Sequence, residues 1–294
     1  MDVKEHALLL LEWILTPSTP VFIIGITIVI LFPVFLHFYL ARSVQYITLP
    51  SVVLIGPAGA GKATLVTLFE RRDKPASAHT SQVPIVVELA VSEDGVSSFR
   101  QDLDASGSTA KKFLLIDTPG HGKLRASTLG MLSGPSSTKS KIKAVVFVVD
   151  AGALADQDGL AASATYLYDV LLALQKRMSA GSTSRAPPAV PILIASNKAD
   201  LFTALPASLV KSNLEAELGR IRTTKKKSLL DSGVGADEVD MATESDDWLG
   251  EYGSNKFSFS QMRAFDIDVD VLGGNIVGDG PGVDKWWSWI AHKI

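Results

Sequence analysis

The run Ser51–Phe69, SVVLIGPAGAGKATLVTLF, passes from β-branched apolar residues through a glycine-rich turn into a helical stretch. VVLI is the kind of continuous apolar run that is buried on both faces of a parallel sheet. A turn of the form Gly56-Pro57-Ala58-Gly59-Ala60-Gly61-Lys62 between strand and helix is the setting a phosphate-binding loop requires. Its glycines let successive N–H groups converge on phosphate oxygens. Lys62 adds a point charge for the β- and γ-phosphates, and the helix N-terminus adds its dipole. Gly56, Ala58, Gly59, Ala60, Gly61 and Lys62 are therefore candidate phosphate contacts, with Ala63 and Thr64 following them on the helix. The residue after the lysine should carry a hydroxyl for Mg²⁺. Here it is Ala63, and one helical step turns Thr64 away by about 100°. Phosphate binding is expected to survive, while metal coordination loses a ligand.

Outward from this loop, apolar runs alternate with helical stretches. Strands are expected at Ser51–Ile55, Val83–Val91, Lys112–Ile116, Ala144–Val149, Ile192–Ser196 and Asp266–Leu272. Helices are expected at Lys62–Arg71, Gly159–Arg177, Ser208–Arg222 and Val283–Ile294. This alternation predicts an α/β fold with a mostly parallel six-stranded sheet and helices on both faces. No helical signal joins the second and third strands, so they should form an antiparallel hairpin. Trp286, Trp287 and Trp289 of the last helix read as core packing. Ser92–Lys111 reads as a long hairpin tip, and Ser179–Pro191 as a flexible connection. Thr223–Asp247, with Lys225, Lys226 and Lys227 before a run of Asp, Glu, Gly and Ser, reads as a disordered insertion whose lysines are solvated.

Two further motifs follow apolar strands in order. Asp117-Thr118-Pro119-Gly120-His121 ends the FLLI strand. Its carboxylate would hold the Mg²⁺ shell, the Gly120 N–H would sense a γ-phosphate, and His121 stands where a side chain would orient the attacking water. Asn197-Lys198-Ala199-Asp200 follows ILIAS. A carboxylate at Asp200 would accept N–H bonds from guanine N1 and N2, a donor pair that adenine lacks. Three such motifs in this order point to GTP or GDP with Mg²⁺. They disfavour an ATPase or kinase. Thr80, in His79-Thr80-Ser81-Gln82, is the candidate switch threonine and a metal ligand beside Asp117. Gly274, after the last strand, is expected to meet guanine through its backbone.

Composition narrows the rest. Lys plus Arg number 28 against 31 Asp plus Glu, a formal charge of −3, so a broadly basic nucleic-acid binder is excluded and no direct sequence-specific nucleic-acid binding is expected. Zero cysteines exclude disulfides, thiol nucleophiles and thiolate metal sites. Apolar residues at 47% supply a full core.

Val21–Leu40, VFIIGITIVILFPVFLHFYL, carries no charged side chain. A helix of that length spans about 30 Å, the thickness of the hydrocarbon core. A membrane span over 20–41 is expected, with a short non-cytosolic segment at 1–19 and a globular domain at 46–294. Lys4 stands against Asp2, Glu5 and Glu12 before the span and Arg42 follows it, so the globular domain is expected in the cytosol.

An N-terminal anchor followed by GPAGAGK, HTSQ, DTPGH, NKAD and a tryptophan-bearing last helix resembles the beta subunits of the signal recognition particle receptor. They are membrane-anchored relatives of the Arf and Sar small GTPases. NKADLFTALP and FSFSQ at Phe257–Gln261 are similar to fungal members. The resemblance implies a P-loop small-GTPase fold and a single-pass protein of the endoplasmic reticulum membrane. It implies that the GTP form holds the receptor's alpha subunit, which in turn receives the signal recognition particle with its ribosome. Ala63 and the Gly273-Gly274 turn depart from the family pattern. A switch with slow turnover, a GTP-loaded anchor without hydrolysis of its own, and another Arf/Sar-like membrane GTPase of the secretory pathway all stay open.

Overall fold

The structure, a computed structural model, describes residues 19–43, 49–71, 79–91, 111–133, 141–179, 189–231, 248–250, 254, 256–278 and 282–294. The chain divides into two units, Met1–Ile47 and Thr48–Ile294. The first holds one helix, α1 (Thr19–Ser43), of 25 residues with Pro33 inside it. Phe22, Ile26, Val29, Leu31, Phe35 and Phe38 all stand exposed, so the helix is apolar all round. Thr27 returns its hydroxyl to Ile23 O at 2.8 Å and exposes no unpaired donor. Among the described residues no helix is long and apolar enough to cross a membrane. The helix itself covers the whole stretch expected to span. The segment expected at 1–19 lies, but for Thr19, outside the description.

The second unit is built on strands β1 (Pro50–Ile55), β2 (Ile85–Val91), β3 (Lys111–Asp117), β4 (Lys141–Asp150), β5 (Ile192–Asn197) and β6 (Val269–Gly273). They form one sheet in the order β2-β3-β1-β4-β5-β6. All neighbours run parallel except β2 and β3, which pair antiparallel from Ile85↔Asp117 to Val91↔Lys111. Six expected strands are thus six observed ones, and the expected hairpin is present.

Helices cover both faces. Val53, Ile55, Val145, Phe147 and Val149 point to one side, against α3 (Arg125–Ser133), α4 (Gln157–Ser179) and α5 (Ala207–Asp231). Val52, Leu54, Val146 and Val148 point to the other, against α2 (Lys62–Arg71) and α6 (Asp284–Lys293). Alternate residues of one apolar run serve two cores, which is why VVLI and AVVFVV contain no polar alternation. Trp287 packs on Phe69 and Phe113 at ring distances of 5.0 and 6.1 Å, so the last helix is core, as expected.

Several boundaries differ from the sequence reading. β2 begins at Ile85, since Val83 is 70% exposed and has no strand partner. β4 begins at Lys141, because its pairing with β1 extends beyond the apolar run. The helix α3 was not foreseen; only Thr128 and Leu132 of its short polar sequence are buried, leaving little periodicity to read. The disordered insertion expected at Thr223–Asp247 is corrected at its start, where α5 continues to Asp231. There Lys225 sits 4.1 Å over the Tyr168 ring and 3.4 Å from Asp169, and Lys226 lies 5.6 Å over Trp248. Both lysines stay exposed, as expected, and make these contacts at the surface of the helix. Residues 232–247 lie outside the described residues.

Candidate functional site

The C-terminal ends of β1, β3 and β5 bring the three motifs together at one edge of the sheet, where open α/β sheets place their ligands. The turn after β1 wraps ahead of α2. Lys62 is buried, and its ammonium donates to Gly56 O at 2.7 Å and Pro57 O at 2.9 Å. Burial pushes its pKa down to about 8, against the pull of Asp117. Gly61 has φ +101°, and a Cβ there would meet Asn197 Nδ2 at 2.3 Å. Only glycine fits, and the same close approach ties the third motif to the first. Asn197 Nδ2 donates to Ala60 O at 2.8 Å, and Asn197 Oδ1 accepts from Ile276 N at 3.2 Å.

Two cavities result. One of about 190 Å³ is lined by Gly59, Gly61, Lys62, Ala63, Thr64, His79, Thr80, Ser81, Asp117, Thr118 and Gly120. The other, of about 230 Å³, is lined by Gly59, Gly61, Thr64, Asn197, Lys198, Asp200, Leu201, Ile276 and Val277. Gly59, Gly61 and Thr64 belong to both. A charged, more polar chamber therefore adjoins a more apolar one ending in a carboxylate, an arrangement that would suit a phosphate chain joined to a base. Gly120 lies against the loop so closely that a Cβ would meet Lys62 Nζ at 2.5 Å and Ala58 N at 2.8 Å.

Asp117 is buried at the end of β3. Its Oδ2 accepts from the Ser81 hydroxyl at 2.6 Å, and its Oδ1 has no hydrogen-bond partner among the described residues. Burial raises its pKa, while the Ser81 bond and the Lys62 charge lower it. A divalent cation fits this donor set, because a carboxylate with one unpartnered oxygen lines the same chamber as the hydroxyl-bearing Thr80 and Ser81. Among the described residues no group of three or more His, Asp or Glu is gathered to hold a metal. That suits Mg²⁺, which takes one or two carboxylates and leaves its other positions to waters and phosphates.

The remaining residues divide. Thr80 is exposed but lines the phosphate chamber. Ala63 lines that chamber alone, while Thr64 stands at its border with the second. Gly56, Ala58 and Ala60 shape the loop without lining either cavity. His121 is exposed, its Nδ1 accepts from Lys123 N at 3.4 Å, and it lines neither cavity. Gly274 is also outside: its N–H goes to Ser196 O at 2.9 Å and its carbonyl accepts from Ala199 N at 3.2 Å. Ile276 and Val277 reach the base chamber in its place.

Sequence reasoning missed Ser81 and Asp150. Asp150 ends β4; its Oδ2 takes the Lys198 ammonium at 2.5 Å, and its Oδ1 takes the N–H groups of Gly152 and Ala153 at 2.9 and 3.2 Å. It thereby steadies Lys198, which sits at φ +61°. A carboxylate at the C-terminal edge of a strand was the available signal, the same one that marked Asp117.

The family described as signal recognition particle receptor beta subunit matches residues 48–265. The chain is 32% identical over 246 residues to the signal recognition particle receptor subunit beta of Saccharomyces cerevisiae, covering 83% of this chain and 84% of that one. It is similar to two solved structures from Chaetomium thermophilum. The signal recognition particle receptor SRb-GTP/SRX complex superposes with a TM-score of 0.71 at 48% identity, covering 83% of this chain and 100% of that one. SRb-GDP-Mg superposes with a TM-score of 0.64 at 50% identity, covering 85% and 100%.

Proposed function

As the chain belongs to the signal recognition particle receptor beta subunit family, we propose that it binds GTP and GDP with Mg²⁺ at this site and that its GTP form holds the receptor's alpha subunit. The observation that carries the reading is the pair of adjoining cavities, with Lys62 and Asp117 in one and Asp200 in the other. Lys62 and the loop N–H groups hold the phosphates. Asp200 accepts the N–H groups of the guanine edge, with Lys198 braced beside it by Asp150. Asp117 and Thr80 stand on the metal side in this reading, where Mg²⁺ would neutralise phosphate charge. Gly120, against Lys62, is the point at which a γ-phosphate would displace the loop and so report itself to a partner.

The same reading places α1 across the endoplasmic reticulum membrane as a single-pass anchor, with residues 46–294 on the cytosolic side. The signal recognition particle and its ribosome are then reached through the alpha subunit. The relatives described with GTP, with GDP and Mg, and with SRX support the nucleotide and complex part of this reading. Guanine-nucleotide binding is tested by isothermal titration of nucleotide-free protein with GDP, GTP and ATP. Binding of ATP as tight as that of GTP would exclude the reading.

One observation favours a GTP-loaded anchor over a self-hydrolysing switch. His121, the residue expected to orient the attacking water, lies outside the phosphate chamber. Single-turnover hydrolysis with and without the alpha subunit separates the two. Partner-independent turnover would show that His121 moves in.

A further inference from the structure

Ala63 contributes a methyl group to the phosphate chamber where a metal-holding hydroxyl belongs on this helix. Thr64 does not correct this, because it stands at the border shared with the base chamber. Across the same chamber, Ser81 brings its Oγ to 2.6 Å from Asp117 Oδ2. Ser81 is half-buried, whereas the neighbouring Thr80 is exposed. A serine hydroxyl that donates to one acceptor keeps lone pairs for a cation. The other oxygen of the carboxylate, Asp117 Oδ1, is buried without a partner among the described residues. An alkyl residue at 63, a hydroxyl at 81 and a half-satisfied carboxylate at 117 thus share one chamber.

We propose that Ser81 supplies the hydroxyl that Ala63 lacks, holding Mg²⁺ together with Asp117. The inference rests on the reading of the site as a nucleotide–Mg²⁺ site. It moves the metal role from Thr80, the residue the motif singles out, to its neighbour. A hydroxyl from the loop before β2 also differs in consequence from one on α2. Mg²⁺ retention should then depend on the placement of residues 79–81 as well as on the glycine-rich loop.

The test is GDP and GTP affinity of the full chain titrated against Mg²⁺, with an EDTA arm, for the parent, Ser81→Ala, Ser81→Thr, Thr80→Ala and the double variant Ser81→Ala/Ala63→Ser. Loss of a group that holds or orients the metal weakens it by about tenfold or more. Ser81→Ala should raise the half-saturating Mg²⁺ by about that factor, Ser81→Thr should not, and the double variant should recover most of the loss. Affinity in EDTA should stay level, since Lys62 and Asp200 are untouched. A Mg²⁺ dependence in Ser81→Ala equal to the parent's overturns the inference, as does a loss found in Thr80→Ala alone. Guanine-nucleotide binding that ignores Mg²⁺ in the parent also overturns it and leaves the proposed function standing. Failure of the parent to bind guanine nucleotide overturns the function itself.

Discussion

Asp200 and Lys62 occupy opposite ends of the joined cavities, and their chemistries predict separable effects. Asp200→Asn replaces an acceptor oxygen with a donor, which now faces the N–H groups of guanine but matches the C2 carbonyl of xanthine. Hydrogen bonds to a charged group are worth about 1.5–3 kcal/mol, so GTP affinity should fall at least about tenfold while xanthosine triphosphate gains. Competition titration with the two nucleotides checks this; equal GTP affinity in mutant and parent would remove Asp200 from the base site. Lys62 predicts a pH dependence. Burial brings its ammonium down to about 8 against the pull of Asp117, with two backbone carbonyls as its hydrogen-bond partners. Phosphate favours the charged form, so the loaded protein keeps the proton at pH values where the free protein has lost it. Affinity should be flat below pH 7 and fall above about 8, by at most about tenfold per pH unit. Lys62→Met should bind weakly and lose that slope. On folding, the sign is reversed: the unfolded lysine holds its proton to 10.5, so the unloaded fold gains stability as pH rises from about 8 toward 10.5.

Helix α5 shows how a segment's local composition is overridden by its neighbours. Its lysines at 225–227 are exposed, yet Arg222 just before them is almost wholly buried. The guanidinium donates to Leu249 O at 3.2 Å and Ser254 O at 2.5 Å and lies 4.5 Å from the Trp248 ring. It pins the chain that returns from the insertion back onto the helix. Arg222→Ala should leave those carbonyls unpaired in a buried place and cost about 2–3 kcal/mol. Urea denaturation followed by tryptophan fluorescence measures it, with nucleotide selectivity unchanged because α5 lines neither cavity. A change below about 0.5 kcal/mol, the range of ordinary surface substitutions, would mean that Arg222 does not hold this return.

Across the chain, an all-round apolar helix and an α/β domain form two separate units. In the reading proposed here, Ile28→Arg puts a charge near the middle of α1 at a cost of about 2.5–3.5 kcal/mol on insertion scales. Part of the protein should move to the carbonate-soluble fraction. Protein lacking residues 1–45 should stay in solution, and its pelleting with stripped membranes would show that another surface carries the anchoring.

The parts of this protein that were readable from residue order are those whose chemistry needs particular side chains in immediate succession. A glycine-rich turn that wraps phosphate, a lysine at its end and an Asn-Lys-x-Asp run are each contiguous, and each follows an apolar strand buried on two sides. Strand number, the hairpin and the two-sided core followed from the same runs. What depended on the fold are contacts between residues far apart in the chain. Ser81 meets Asp117 across 36 positions, Asp150 meets Lys198 across 48, and Asn197 reaches Ala60 across 137. The reach of Ile276, rather than Gly274, into the base chamber belongs with them. Hydrogen bonds act over about 3 Å and only at the right angle. Which serine meets which carboxylate is therefore set by strand register and close packing, and neither is encoded in any single run of residues.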